Sequence, residues 1–105
     1  MTITQLAQKL LTLGYPVTYS HFKSAQTPPF ICYTDQGSDN FSADNEIYHE
    51  LEFVDIELYS TKKDLVIERK IKDLLKENKL PYMKAPPVWI ESEGVFQFVF
   101  TIQLI

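Results

Sequence analysis

Cysteine and histidine are nearly absent from this chain. Cys32 stands alone, and the histidines are His21 and His49. A single thiol cannot close an internal disulfide, and no Cys/His spacing suits zinc. Cys32 sits in a strand-like apolar run and reads as a small buried residue, in a chain that folds in a reducing, cytosolic setting. There is no apolar run of about 18 residues, so no membrane-spanning helix is expected. The N-terminus has no basic segment leading into an apolar one, so it does not read as a signal peptide. Positive charge is short as well: the net charge is −4 and the sequence pI about 5.0. A groove that binds nucleic acid needs a basic stripe. Here Lys62, Lys63, Lys70, Lys72, Lys76 and Lys79 gather in one segment with acids interleaved. There is no internal repeat and no low-complexity tract.

What is present suits a single domain spanning 1–105. Apolar residues make up 45%, enough for one core, though a chain this short does not easily hold a deep active site besides. Seven Phe, six Tyr and one Trp exceed the needs of a minimal core, which assigns some of them to a contact surface.

Thr2-Ile3-Thr4-Gln5 has the form of a capping box. Ile3, Leu6, Leu10 and Leu13 then recur at helical spacing, and Gly14 and Pro16 stop the helix. The first helix is expected over 2–13. Val17-Thr18-Tyr19 reads as a short strand, 23–29 as a loop closed by Pro28-Pro29, and Phe30 to Thr34 as a strand. Gln36 to Asn45, rich in Gly, Ser, Asp and Asn, reads as a polar loop, and Glu46 to Tyr59 as a long strand. Thr61-Lys62-Lys63-Asp64 is a second capping-box pattern, starting a helix over 62–78 with Ile67, Ile71, Leu74, Leu75 and Asn78 on one stripe and a Glu68–Lys72 pair on its surface. Pro81 ends it. Strands over 88–92 and 95–104 follow, joined at Glu93-Gly94, with Pro86-Pro87 as a turn or an edge-strand device. The order α-β-β-β-α-β-β has no crossover alternation. It predicts an α+β fold, an antiparallel or mixed sheet of four to five strands with two helices packed on it.

The long strand carries an irregularity. Leu51 and Phe53 are apolar on one parity; Val54, Ile56 and Leu58 are apolar on the other. A regular strand cannot exchange faces. Either a bulge lies at the switch, or the half before Phe53 leaves the sheet as a hairpin arm that reaches a neighbouring subunit. The second reading is preferred, and burial of Leu51 and Phe53 in an isolated monomer beside a plain bulge would contradict it.

Candidate chemistry is sparse. Cys32 and His49 could meet across strands with Asp55 or Glu57 near, but no motif supports nucleophilic catalysis. Asp35, Asp39, Asp44 and Glu46 could gather around calcium, yet the EF-hand spacing and its glycine are missing, and Asn40 and Asn45 read better as turn residues. No catalytic, cofactor or metal residue is assigned. Phe41, an aromatic between Asn40 and Ser42, either folds back on its own domain or anchors a partner. The partner-contact candidates are Asp39, Asn40, Phe41, Asp44, Tyr48, Leu51 and Phe53. The lysines with Arg69 read as a solvated helix face.

The order of several short segments resembles a known family. These are Gly14-Tyr15-Pro16, His21-Phe22, Pro28-Pro29-Phe30-Ile31, Gly37-Ser38-Asp39-Asn40-Phe41, Ala43-Asp44-Asn45, Ile56-Glu57-Leu58-Tyr59, Lys62-Lys63-Asp64 and Glu91-Ser92-Glu93. Together they are similar to the small head–tail connector or tail-completion proteins of long-tailed phages and prophages of Gram-positive bacteria. The resemblance implies a non-enzymatic structural part in virion assembly. Its tail-terminator members are small α+β subunits that form a hexameric ring at the top of the tail tube. Partners implied are further copies of the chain, the tail tube protein and the neck or head-closure proteins. DNA passes without sequence-specific binding, and no membrane is involved. The location implied is the virion's head–tail junction, after folding and assembly in the host bacterial cytoplasm. No catalytic residues carry over. An acidic chain is in keeping with a channel that does not hold DNA. Two alternatives stand beside this: a head-closure or neck adaptor, and a small cytosolic ligand-binding or regulatory α+β domain using the Asp39–Asp44 segment. An enzyme comes last.

Overall fold

The computed structural model of the chain describes residues 1–43 and 46–104, with 37–43 and 46–51 described through their backbone alone. Helix α1 (Ile3–Leu11) opens with the expected capping box. The Gln5 amide donates to the Thr2 hydroxyl, and the Thr2 amide donates to the Gln5 side chain, so two amides that a helix start leaves unpaired are satisfied. Gly14 follows at φ +93°, a left-handed conformation costly for any residue with a Cβ.

The strands are β1 (Val17–Tyr19), β2 (Phe30–Ala43), β3 (Glu46–Ser60), β4 (Tyr82–Lys84), β5 (Val88–Ile90) and β6 (Val95–Leu104), with helix α2 (Leu65–Glu77) between β3 and β4. They form one mixed sheet in the order β1-β2-β3-β6-β4. β1 is parallel to β2, and the other pairings are antiparallel. β3 occupies one edge of β6, so β5 shares the other edge with β4: Tyr82–Lys84 pair with Phe100–Ile102, and Val88–Ile90 with Val95–Gln97. The α+β class with two helices on a mixed sheet is as expected. The sheet has six strands rather than four or five because Pro86-Pro87, which lack amide donors, split one outer rank into β4 and β5. The sequence reading passed over β4 because it lies directly behind the helix-stopping Pro81.

Both helices pack on one face. Leu6 and Leu10 of α1, and Ile67, Ile71, Leu74 and Leu75 of α2, meet Ile31 of β2, Val54, Ile56 and Leu58 of β3, and Phe98, Phe100, Ile102 and Leu104 of β6. Burying each such side chain is worth about 1.5–3 kcal/mol. In β6 the buried Phe98, Phe100, Ile102 and Leu104 alternate with the half-buried Val99, Thr101 and Gln103, the period of a strand with one face on the core.

Three expectations are corrected. Thr61 does not cap α2; Asp64 does, its carboxylate accepting from the amides of Val66 (3.1 Å) and Ile67 (3.2 Å). Aspartate is a strong N-cap and wins over the threonine one turn earlier. Glu68 does not pair with Lys72 on the surface. It is 2% exposed, on the buried side of α2, where it accepts from Lys63 (3.2 Å) and from Lys84 of β4, beneath which lie the rings of Phe98 and Phe100. And Gln36 to Ala43 is not loop but the second half of β2, in register with β3 from Ser38↔Glu52 to Ala43↔Glu46. Gly, Ser, Asp and Asn are poor strand formers, but strand propensity yields to pairing with a partner that holds Ile47, Tyr48 and Leu51. Asp44 and Asn45 lie outside the described residues.

The parity switch of β3 has both expected components. β2 sets two residues, Gln36 and Gly37, opposite Phe53, a bulge on the partner strand. At the same level β6 ends, Leu104 pairing with Glu52. Beyond it β2 and β3 continue as a two-stranded arm. Glu52 shares the parity of buried Val54 and Ile56 yet is exposed. Phe53 is half-buried on the opposite face, beside that bulge, so its burial is intermediate between the two readings; the side chain of Leu51 is outside the described residues.

α2 ends with Lys79 at φ +55°. The Lys79 amide donates to the Lys76 carbonyl (3.1 Å) and the Leu80 amide to the Leu75 carbonyl (2.9 Å), a left-handed helix stop usually filled by glycine. Lys79→Gly is expected to raise stability by about 0.5–1 kcal/mol, read as a higher urea midpoint with an unchanged slope. Glu68→Ala, which strands Lys84, is expected to lower stability by about 3 kcal/mol.

Candidate functional site

The second face of the sheet carries no helix. By strand alternation it presents Phe30, Cys32 and Thr34 of β2, Phe53, Asp55, Glu57 and Tyr59 of β3, and Gln97, Val99, Thr101 and Gln103 of β6, in register across the three strands. All are half-buried except Cys32, which is buried. The polar members are tied to one another. Thr101 donates to Asp55 (2.6 Å), Tyr59 donates to Glu57 (2.9 Å), and Gln97 donates to the Tyr59 oxygen (2.9 Å). These bonds hold two carboxylates outward in fixed positions on neighbouring turns of the pleat.

The electrostatics of the two faces are opposite. On the open face, burial pushes the Glu57 carboxyl up, against the Tyr59 hydrogen bond, and the Asp55 charge adds to the rise. Burial and then Glu57 push the Cys32 thiol up to about 11, which favours the protonated thiol over the reactive thiolate at neutral pH. Burial and the bond to Glu57 likewise raise the Tyr59 phenol. On the helix face, burial alone would raise Glu68, but the hydrogen bonds and charges of Lys84 and Lys63 outweigh it and hold the carboxyl below its ordinary range. Glu68 in turn raises Lys84.

At one end of the open face the segment after β1 folds over the sheet and leaves a groove of about 570 Å³, lined by His21, Phe22, Phe30, Cys32, Tyr59 and Val95 among others. Phe30 stacks on Tyr59 (centroids 5.0 Å apart) and meets Phe22 edge-on (5.4 Å). The Pro28-Pro29 peptide in this segment is cis.

The sequence-derived contact residues are distributed along the arm. Asp39 pairs with Leu51 and Asn40 with Glu50. Phe41 and Tyr48 fall where the register shifts between Asn40 and Ser42. Phe41 is thus a strand residue rather than the centre of a loop. Phe53 is at the base of the arm, opposite Gln103. Asp44 lies outside the described residues, so the arrangement of the acidic set Asp35, Asp39, Asp44 and Glu46 does too. Among the described residues no group of His, Cys, Asp or Glu is placed to hold a metal. Cys32 and Glu57 are direct cross-strand partners, but His49 lies eight residues further along β3, roughly 26 Å away at strand rise. The Cys–His pair considered from the sequence is not assembled. No helix among the described residues is long and apolar enough to cross a membrane.

Sequence reasoning missed the open face as a unit. Its signal was the regular polar alternation Asp55, Glu57 and Gln97, Thr101, Gln103, which reads as ordinary solvated positions until the register aligns the rows. No protein-family model matches the chain, and no curated protein matches it.

The raised Glu57 carboxyl sets a sign. Its folded-state value lies above the unfolded one, so the native state holds the proton more tightly and stability falls as pH rises through the folded value. Glu57→Gln removes that fall. In melts just above the ordinary carboxylate range and up to pH 8, the variant's advantage over wild type is expected to grow with pH and then level off. Glu68 acts in the opposite sense: its contribution is present above the unfolded carboxylate value and is lost as pH falls through the lower folded one.

Proposed function

We propose that this chain is a non-enzymatic virion assembly protein, a tail-terminator or tail-completion subunit that forms a homo-oligomeric ring at the head–tail junction of a long-tailed phage. The observation that carries the reading is the arm. β2 and β3 run 14 and 15 residues, and β3 outruns β6 at Glu52↔Leu104. Among the described residues, Glu46–Leu51 pair with β2 alone. A two-stranded ribbon with open outer edges is marginal alone and a hazard in a free monomer. It is accounted for if a neighbour pairs with it or packs on it.

Further support comes from where the resembling segments fall. Gly37-Ser38-Asp39-Asn40-Phe41 lies in the β2 half of the arm, Ile56-Glu57-Leu58-Tyr59 in β3 below it, and Glu91-Ser92-Glu93 in the turn between β5 and β6. A ring subunit needs two unlike surfaces, because head-to-tail association closes rings. An arm at one end and a proline-split edge rank supply unlike surfaces.

A head-closure or neck adaptor is the alternative role in the same setting. The groove of about 570 Å³ is the observation that favours a small-ligand domain instead. That reading expects a monomer or dimer whose melting temperature rises with ligand.

Electron microscopy of lysates from a phage with a stop codon in this gene is the test. Filled heads lying free beside tails of uncontrolled length are expected. Emptied heads beside tails of normal length would move the protein to head closure, and normal virions would overturn the assembly reading. Replacing residues 37–52 by Asn-Gly leaves every described core residue in place. That variant is expected to keep its far-UV circular dichroism and a cooperative melt, and to fail to restore tail length.

A further inference from the structure

We propose that the open face of the sheet is covered by helix α2 of a second copy of this chain, with Asp55 and Glu57 meeting the basic stripe Arg69, Lys72 and Lys76 head-to-tail. The inference rests on the ring-subunit reading for its occupant and goes beyond it in naming the two surfaces.

The open face is built to receive something charged and elongated. Its two carboxylates sit two residues apart on one strand, roughly 7 Å along it. Asp55 accepts from the Thr101 hydroxyl, and Glu57 from the hydroxyls of Tyr59 and Thr34, and an ionised carboxylate accepts about four hydrogen bonds. The strand positions of this face contain no lysine or arginine. Glu57 is half-buried and raised by burial, so a cation laid against it relieves a cost the free subunit carries.

The matching surface is on the opposite side of the same domain. On α2 the core stripe is Ile67, Glu68, Ile71, Leu74 and Leu75. At 100° per residue, Arg69, Lys72 and Lys76 form a separate stripe on the flank away from α1, with Leu65 at its start. Arg69 and Lys76 are exposed and Lys72 is half-exposed. The ion pairs of the described residues belong to Lys63, Lys84 and Glu68, so this stripe is unpaired among them. Lys72 and Lys76 are about 6 Å apart along the helix, close to the carboxylate spacing. The helix is 13 residues, about 20 Å; the face from Phe53 to Tyr59 spans roughly 20 Å. Apolar groups flank both surfaces: Leu65 is 68% exposed at the helix start, and Met83 is 77% exposed on the β4 edge beside the face. The two surfaces lie on opposite layers, so the contact is heterologous and propagates from copy to copy.

The test uses the full chain in sedimentation velocity over a range of concentration and salt. Wild type is expected to self-associate, more weakly as salt rises. Two charge-reversed proteins are made, Asp55→Lys with Glu57→Lys, and Arg69→Glu with Lys72→Glu and Lys76→Glu. Each alone is expected to associate at least about tenfold more weakly. An equimolar mixture should associate again, because each variant's altered surface then faces a complementary one. Asp55→Asn with Glu57→Gln, checked by circular dichroism, gives the same loss if the reversed face fails to fold. Wild type that stays monomeric at millimolar concentration overturns the proposal. So does association undiminished in both reversed variants, which leaves the ring reading standing, since phage lacking the protein test that separately. Loss of binding to duplex DNA in the helix variant, with self-association intact, would assign the stripe to nucleic acid instead.

Discussion

Everything in this domain depends on β3 having two different faces. It pairs with β2 from Glu46 to Tyr59 and with β6 from Glu52 to Ser60. Its even positions from Val54 to Ser60 are buried under the helices, and its odd positions from Phe53 to Tyr59 are half-buried on the uncovered side. A one-residue slip would place Asp55 and Glu57 under α2 and turn Val54, Ile56 and Leu58 outward. Moving two unpaired carboxylates into an apolar layer costs several kcal/mol each. The register is therefore fixed by charge on one side as firmly as by hydrocarbon on the other. The bulge at Gln36-Gly37 then fits that register to an arm with a different apolar parity.

The two buried or half-buried glutamates illustrate how a charged residue is placed by its surroundings rather than by its type. Glu68 is less exposed to solvent than Glu57, yet its carboxyl is held low while that of Glu57 is raised. The difference is the partners. Glu68 has two ammonium groups, one from the segment preceding α2 and one from β4, and it ties the helix to the outer rank of the sheet. Lys63 is largely exposed, so water screens its share, and Lys84 supplies most of the compensation. Glu57 has a phenol, a threonine hydroxyl, a thiol and another carboxylate as neighbours. Glu68 is neutralised by cations within the subunit, whereas Glu57 is held by hydroxyls alone.

Local signals carried the sequence reading where they acted within one turn or one strand. The capping box at Thr2, the stop at Gly14, the stripe Ile67 to Leu75 and the alternation of β6 are each decided by residues a few positions apart, and each is present in the fold. The reading went astray where a distant partner decides. Thr61 and Asp64 are both good caps, and choosing between them depends on where α2 meets the sheet. Glu68 looks like a surface partner for Lys72 until Lys84, 16 residues on, is brought beneath it. The segment Gly37 to Ala43 has turn composition and is strand because β3 runs opposite it. The open face could not be seen at all without the register, since it is assembled from alternate residues of three separate strands.

A protein of this size ordinarily covers both faces of its sheet or leaves the second one plainly hydrophilic. Here the second face is intermediate: half-buried, ordered by its own hydrogen bonds, acidic and edged by apolar groups. Its charge is not balanced by any cation on the strands, while a basic stripe with no ion pair among the described residues lies on the far side of the same domain. The arm has the same character, a backbone ladder that continues after the core that would justify it has ended. Folding of one chain does not require either feature. Both are accounted for if the folded subunit is a repeating unit and the missing neighbours are further copies or the structures on which such copies assemble.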